Sequence, residues 1–326
     1  MLAIVCPGQG SQTPGFLAPW LELDAFRDRL ESLSEVAGLD LLAHGTTSDA
    51  ETIKDTAVAQ PLIVASGLAA AAALFDGTAA SAGVGATAGH SVGEITAAAF
   101  AGVLADRDAM VFVRERGQAM AAASAVVPTG MSAVLGGDPA DVAAALDKYG
   151  LTPANANGGG QVVAAGTLEQ LAALAADPPA RTRVIPLQVA GAFHTHHMAP
   201  AVETLGDLSR DFDVSDPGIT LLSNGDGQPV GSGVEALARL VSQVSNPVRW
   251  DLCMQTLQEL GVTALIELPP AGTLVGLAKR GLPGVEALAL KTPDDLEAAQ
   301  RLAREHATGG TFATSSTPSP PDAQEA

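Results

Sequence analysis

Gly83-Val84-Gly85-Ala86-Thr87-Ala88 runs without interruption into Gly89-His90-Ser91-Val92-Gly93, and Glu94 to Ala101 follows as an alanine-rich apolar stretch. The first part reads as a buried strand and the last as a helix. Strand, tight turn and helix together make the unit of an α/β fold. A serine flanked by glycines at that turn matches the nucleophile elbow G-x-S-x-G. The chain must reverse sharply there, so side chains at Gly89 and Gly93 would collide. The serine oxygen is then left exposed at the sheet edge, with the N–H groups of a helix start behind it. Glycine beside serine also occurs in ordinary βα turns, and these five residues alone leave both readings open.

Outward from the turn, Leu2-Ala3-Ile4-Val5-Cys6 is a short apolar run halted by Pro7-Gly8, a buried first strand entering a glycine loop. Gln60 to Phe75 predicts a buried helix beginning near Pro61, since proline suits a first helical turn. From Met131 to Val189 the rhythm changes. Strands are expected at Met131 to Leu135, Thr152 to Ala156, Gln161 to Ala165 and Arg183 to Val189, with helices at Ala140 to Tyr149 and Leu168 to Ala176. That order, βαββαβ, is ferredoxin-like. Beyond it come helices near Met198 to Leu208, Val234 to Val244 and Asp251 to Leu260, and strands at Ile219 to Ser223 and Ala264 to Leu268. The expected architecture is a large α/β-hydrolase-like domain with a parallel sheet and a nucleophile elbow, residues 1–128 and 193–305. A small ferredoxin-like domain, 129–192, is inserted into it. Residues 306–326 are expected to be a disordered tail, because the Thr, Ser, Pro and Ala that dominate from Thr308 cannot bury a core.

Composition narrows the function. The formal net charge is −19, which speaks against nucleic acid and against attraction to anionic lipid. An acidic partner would have to meet a local cluster of the 17 Lys and Arg, with Lys279-Arg280 and Arg181 with Arg183 as candidates. Two well-separated cysteines, Cys6 and Cys253, make no disulfide framework and are read as reduced and cytoplasmic. The first ten residues lack the pattern of a signal peptide. The longest apolar run, Leu62 to Phe75, is broken by Ser66-Gly67 and is too short to span a bilayer.

An activated serine needs a base, and six histidines are available. His90 adjoins the serine but should point away from it on an elbow. His44 and His306 lie in polar surroundings. His194, His196 and His197 cluster, and His194, after a strand and two apolar residues, is the best placed. Two alternatives stay open: a metal pair formed by His194 and His196, or three surface histidines. Gly8-Gln9-Gly10-Ser11-Gln12 lacks the lysine of a P-loop. A backbone N–H near Gln9 can instead complete an oxyanion hole. Arg114 and Arg116 sit on an otherwise apolar stretch and face different ways on a helix, so at most one points inward. An inward arginine needs a negative partner such as a substrate carboxylate.

Taken together, these residues resemble the malonyl-CoA:acyl-carrier-protein transacylase family over roughly residues 1–300. The likeness rests on Pro7 to Gln12, Ala59-Gln60-Pro61, Gly89 to Glu94, Arg116-Gly117, Asn155 to Val163, Gly191 to His194, and Asn246 to Trp250. The resemblance implies Ser91 as nucleophile, His194 as base, and Gln243 orienting the histidine through a carbonyl group. It implies the N–H groups of Gln9 and Val92 as oxyanion hole and Arg116 as the malonyl carboxylate's partner. Gln60, Asn157 and Phe193 belong to the same pocket, and Phe193 with Val92 falls on the malonyl side of the family. One departure is Leu268-Pro269-Pro270-Ala271-Gly272, where the family carries a G-P-G turn.

The implied reaction passes malonyl from coenzyme A to the phosphopantetheine thiol of an acidic acyl carrier protein, with no metal or bound cofactor. No nucleic acid or membrane takes part, and nothing demands more than a monomer. Two other functions share the motifs. A serine thioesterase or esterase would need an acid to orient its histidine and no inward arginine. An inactive carrier-docking module would not be acylated at all.

Overall fold

Strand β1, Leu2–Cys6, is buried at every residue, and its alternation sends Leu2, Ile4 and Cys6 into one apolar layer and Ala3 and Val5 into another. A strand covered on both faces belongs to the middle of a parallel sheet. In the computed structural model, which describes residues 1–75, 83–189 and 191–307, β1 is the central strand. The other strands are β2, Val84–Gly89; β3, Thr129–Gly136; β4, Thr152–Gly158; β5, Gln161–Thr167; β6, Thr182–Pro186; β7, Thr220–Leu221; β8, Val248–Arg249; β9, Ala264–Glu267; and β10, Glu286–Ala289. The first sheet runs β10-β9-β1-β2-β7, parallel throughout. Helices Asp24–Ala37, Thr56–Leu74, Gly93–Phe100 and Asp106–Ser124 pack on the Leu2/Ile4 side. Helices Trp250–Glu259 and Thr273–Gly281 cover the other.

The second sheet has the order β6-β3-β5-β4-β8. Its first four strands are antiparallel neighbours in the ferredoxin-like arrangement, with helices Pro139–Lys148 and Leu168–Ala176 on one face. The opposite face, carrying Met131 and Val163, joins the core of the large sheet. The fifth strand comes from outside residues 129–192: β8 pairs in parallel with β4, Asn155 opposite Val248 and Ala156 opposite Arg249. Strand β6 stops at Pro186, short of Val189.

Helix Thr56–Leu74 starts five residues before the expected Pro61, because Asp55 accepts the Ala57 N–H and caps it. Such a cap contributes about 1 kcal/mol. Pro61 therefore lies inside the helix. At 19 residues and a mean hydropathy of 1.8 this helix is long and apolar enough to cross a bilayer, but 78% of it is buried inside the protein. Its all-round apolarity is spent on the core. The loop at Pro269 to Gly272 is ordered by Glu267, fully buried at the end of β9. Its carboxylate accepts N–H groups of Gly272, Leu274 and Val275 at 2.8, 2.9 and 2.9 Å. Of the expected tail 306–326, His306 instead closes helix Leu296–His306, and the residues from Thr308 onward lie outside the described residues.

Candidate active site

The turn after β2 brings the chain back on itself as its glycines demand. A Cβ on Gly89 would sit 2.0 Å from the Gly93 carbonyl carbon, and one on Gly93 would sit 2.2 Å from Cys6 O. Ser91 is forced to φ 54°, the left-handed region. For a residue with a Cβ that costs roughly 1–2 kcal/mol. The cost persists because the surroundings fix the turn. His90 N–H donates to Cys6 O at 2.9 Å, Gly93 N–H to His90 O at 3.0 Å, and Glu94 N–H to Ser91 O at 2.9 Å.

His194, also at positive φ (62°), turns its ring to the serine. Its Nε2 lies 2.8 Å from Ser91 Oγ, and its Nδ1 lies 3.0 Å from the main-chain carbonyl of Gln243. A carbonyl only accepts, so Nδ1 carries the proton and Nε2 is left to receive one from Ser91. The Gln243 side-chain Nε2, 3.2 Å from the same Nδ1, is therefore a close neighbour and no hydrogen-bond partner. Burial first, and then the Arg116 charge, push the His194 pKa down to about 3, so the ring is neutral at ordinary pH. His196 and His197 lie elsewhere, their rings 4.1 Å apart. Among the described residues no three His, Cys, Asp or Glu side chains converge as metal ligands would.

Of the two arginines, Arg116 is inside, 1% exposed, while Arg114 is half-buried and bonded to Glu115 and to Val36 O. Arg116 is paired within the protein. Nη1 donates to Gln60 Oε1 at 2.7 Å, and Nη2 donates to Gln243 Oε1 at 3.1 Å and to Ser91 Oγ at 3.3 Å. Burial lowers its pKa to about 10, still charged at neutral pH. The nearby carboxyl is Glu94, whose pKa burial raises to about 8 against the Asn224 N–H and the Arg116 charge. Below that pH Glu94 is neutral, and Arg116 keeps an uncompensated positive charge beside the serine.

A cavity of about 70 Å³ above Ser91 is bounded by Gln9, Val92, Met131, Val163 and Phe193. The main-chain N–H groups of Gln9 and Val92 have no hydrogen-bond acceptor among the described residues. Gln9 is held by its side chain, which donates to Lys54 O at 3.2 Å, and Gly8 lets the loop approach: a Cβ there would meet His90 O at 2.8 Å. A neighbouring cleft of about 340 Å³, lined by Gln12, Lys54, His90, Asn157 and Thr273, opens beside this cavity. Asn157 belongs to that cleft. Its Oδ1 lies 2.9 Å from His90 Nε2, so it touches His90 and not Ser91.

Three residues of the site receive no role from the sequence. Asn155 borders both cavities, and its buried Oδ1 has no partner among the described residues. Asn224 holds the elbow: its Oδ1 accepts Ser91 N–H at 2.8 Å and its Nδ2 donates to Gly89 O at 2.7 Å. Glu94 Oε1 in turn accepts Asn224 N–H at 2.7 Å. Asn224 follows directly on the strand expected at Ile219 to Ser223, and nothing local marks it.

A parallel α/β sheet with a serine on a strained elbow, a neutral histidine on its oxygen and two free N–H donors beside it defines a serine acyl-transfer enzyme. The family model for the acyl transferase domain matches residues 3–309. The malonyl CoA-acyl carrier protein transacylase of Mycobacterium tuberculosis is 53% identical over 297 residues, covering 91% of this chain and 98% of that protein. The protein of the same name from Escherichia coli K12 is 33% identical, covering 92% and 99%. Among solved structures, the M. tuberculosis MCAT superposes with a TM-score of 0.89 at 53% identity, covering 92% of this chain and 99% of its own. A malonyl-transacylase in complex with a type II PKS acyl-carrier protein gives 0.85 at 29% identity, covering 92% and 99%. The chain belongs to the acyl transferase domain family, among the malonyl-CoA:acyl-carrier-protein transacylases.

Proposed function

We propose that the protein moves malonyl from malonyl-CoA to the phosphopantetheine thiol of an acyl carrier protein through a malonyl ester on Ser91. The observation that carries this reading is the Arg116 guanidinium. It lies 3.3 Å from Ser91 Oγ, is held by neutral amide oxygens, and has no carboxylate partner among the described residues. An acyl group ending in a carboxylate supplies the missing anion, and the planar fork suits it in a two-pronged bond.

Ser91 Oγ attacks the thioester carbonyl as its proton passes to His194 Nε2. The N–H groups of Val92 and Gln9 receive the oxyanion, each contributing about 3–4 kcal/mol in comparable sites. The C–S bond breaks and the leaving sulfur takes the proton from His194. In the second half the carrier thiol gives its proton to His194 and attacks the ester, the C–Oγ bond breaks, and His194 returns the proton to Ser91 Oγ. Every proton and acyl group has a named protein atom, so the scheme needs no cofactor. Phe193, Met131 and Val163 keep water from the ester. The unpartnered Asn155 Oδ1 suits an amide N–H of the pantetheine arm. Lys279-Arg280, exposed at the end of helix Thr273–Gly281 with Arg280 beside Gly159 and Gln161, suits an acidic carrier, whereas Arg181 and Arg183 do not line the cleft. A cytoplasmic setting belongs to the same proposal, supported by free, buried Cys6 and Cys253.

The test is labelled malonyl-CoA followed by denaturation. Wild type should retain covalent label and Ser91→Ala none; label persisting elsewhere would remove Ser91 from its role. A chase with holo carrier protein should discharge the ester faster than water alone. Discharge by water at the same rate would favour a thioesterase, which needs an acid behind its histidine where this chain has a main-chain carbonyl.

A further inference from the structure

We infer that Asn224 is a positioning residue that sets the aim of the nucleophile, resting on the reading of Ser91 given above. Ser91 stands in the left-handed backbone region, which a serine leaves unless it is held there. The Asn224 side chain, fully buried, spans the turn from both ends: its oxygen takes the Ser91 N–H at 2.8 Å and its nitrogen reaches Gly89 O at 2.7 Å. Only one amide orientation satisfies both, because Ser91 N–H must meet an acceptor and Gly89 O a donor.

The main chain of Asn224 is tied down as well. Its N–H donates to Glu94 Oε1 at 2.7 Å, and its carbonyl accepts Arg249 N–H, from β8, at 2.8 Å. Glu94 lies in the first turn of the helix that Ser91 introduces, so the elbow, Asn224 and that helix form a closed ring of hydrogen bonds. The ring also explains which donors remain for an oxyanion. Ser91 N–H is spent on Asn224, leaving Val92 and Gln9.

The test uses a small fluorophosphonate, which phosphonylates an activated serine oxygen and needs no coenzyme A site. Asn224→Ala should slow labelling per folded molecule on the order of a hundredfold, as a displacement of about 1 Å at a reacting centre does. It should lower kcat for malonyl transfer by a similar factor with KM for malonyl-CoA unchanged. Leu222→Ala, a buried neighbour whose side chain packs in the Ala3/Val5 layer, should lose thermal stability but label normally per folded molecule. Asn224→Asp keeps the acceptor for Ser91 N–H, loses the donor to Gly89 O, and matches the volume if the alanine variant fails to fold; it too should label slowly. Labelling of either Asn224 variant at the wild-type rate would overturn the inference. Ser91→Ala in the same series must stay unlabelled; label there would overturn the reading of Ser91 instead.

Discussion

Arg116 Nη1 donates to Gln60 Oε1 at 2.7 Å across two packed helices, an amide holding a guanidinium where a carboxylate would ordinarily stand. The approach is close because residue 117 is glycine; a Cβ there would lie 2.9 Å from Thr56 O. A carboxylate at position 60 would cancel the charge, whereas the amide orients it and leaves it available, under the proposed function, for the acyl group. Arg116→Ala should therefore lose malonyl acylation by roughly thirty- to several-thousand-fold, the usual cost of truncating one partner of a buried charge pair. Acetyl acylation should hold or rise. Arg114→Ala, on the other helical face, should change neither. Initial acylation rates with both thioesters check this, and equal losses at Arg116→Ala would mean that the residue serves the fold alone.

Gln243 acts through two different groups. Its main chain orients His194 and its side chain steadies Arg116. Gln243→Ala keeps the first and removes the second, so malonyl acylation should fall about ten- to a hundredfold, as for a hydrogen bond to a charged group. Acetyl acylation should barely move. A parallel fall in both, measured in the same assay, would assign the side chain to the histidine as well.

The depressed pKa of His194 fixes a pH response. An ordinary histidine loses its base function as pH falls through about 6.5. His194, held down to about 3 by burial and the Arg116 charge, stays unprotonated well below that. Single-turnover acylation of Ser91 should be flat from pH ~8 to ~5, where an unperturbed imidazole would lose most of its rate. A limb centred near 6.5 would contradict this.

Glu94 makes stability fall with rising pH. Between its ordinary value of 4.5 and its folded value of about 8, the folded protein holds a proton that the unfolded chain has released. Its contribution is therefore least unfavourable below 4.5 and worsens as pH rises to about 8. Glu94→Gln retains the acceptor for Asn224 N–H without the titration. Relative to wild type, its thermal transition should rise steadily across that window. A constant difference between the two proteins would show that Glu94 is ionised throughout.

How much of this was legible beforehand depends on distance along the chain. Ser91 with its flanking glycines, and the helix expected from Ala140, which Asp138 caps through the Ala140 N–H, are legible within a few residues, because turns and caps are local. The βαββαβ order was readable for the same reason. The start of helix Thr56–Leu74 was misplaced because Pro61 is a stronger signal than the Asp55 cap that sets the boundary. Helices Asp24–Ala37 and Leu296–His306 carry apolar residues at helical spacing, Phe26, Leu30 and Leu33 in the first, but no chemical motif marks either stretch. Asn224 and Glu94 meet across 130 residues, and Asn224 reaches Ser91 across 133. Neither stretch alone contains their relationship.

The pairing of β4 with β8 bears on how such enzymes can be recombined. A chimaera that takes residues 129–192 from a relative inherits four strands of a five-strand sheet and borrows the fifth from its host. The seam then falls at Asn155 against Val248, one residue from the Arg249 N–H that reaches Asn224. Transplants that leave that two-residue strip behind graft a foreign edge onto the wall of the reaction chamber, so the unit of exchange is a pair of segments distant in sequence and not a single cassette.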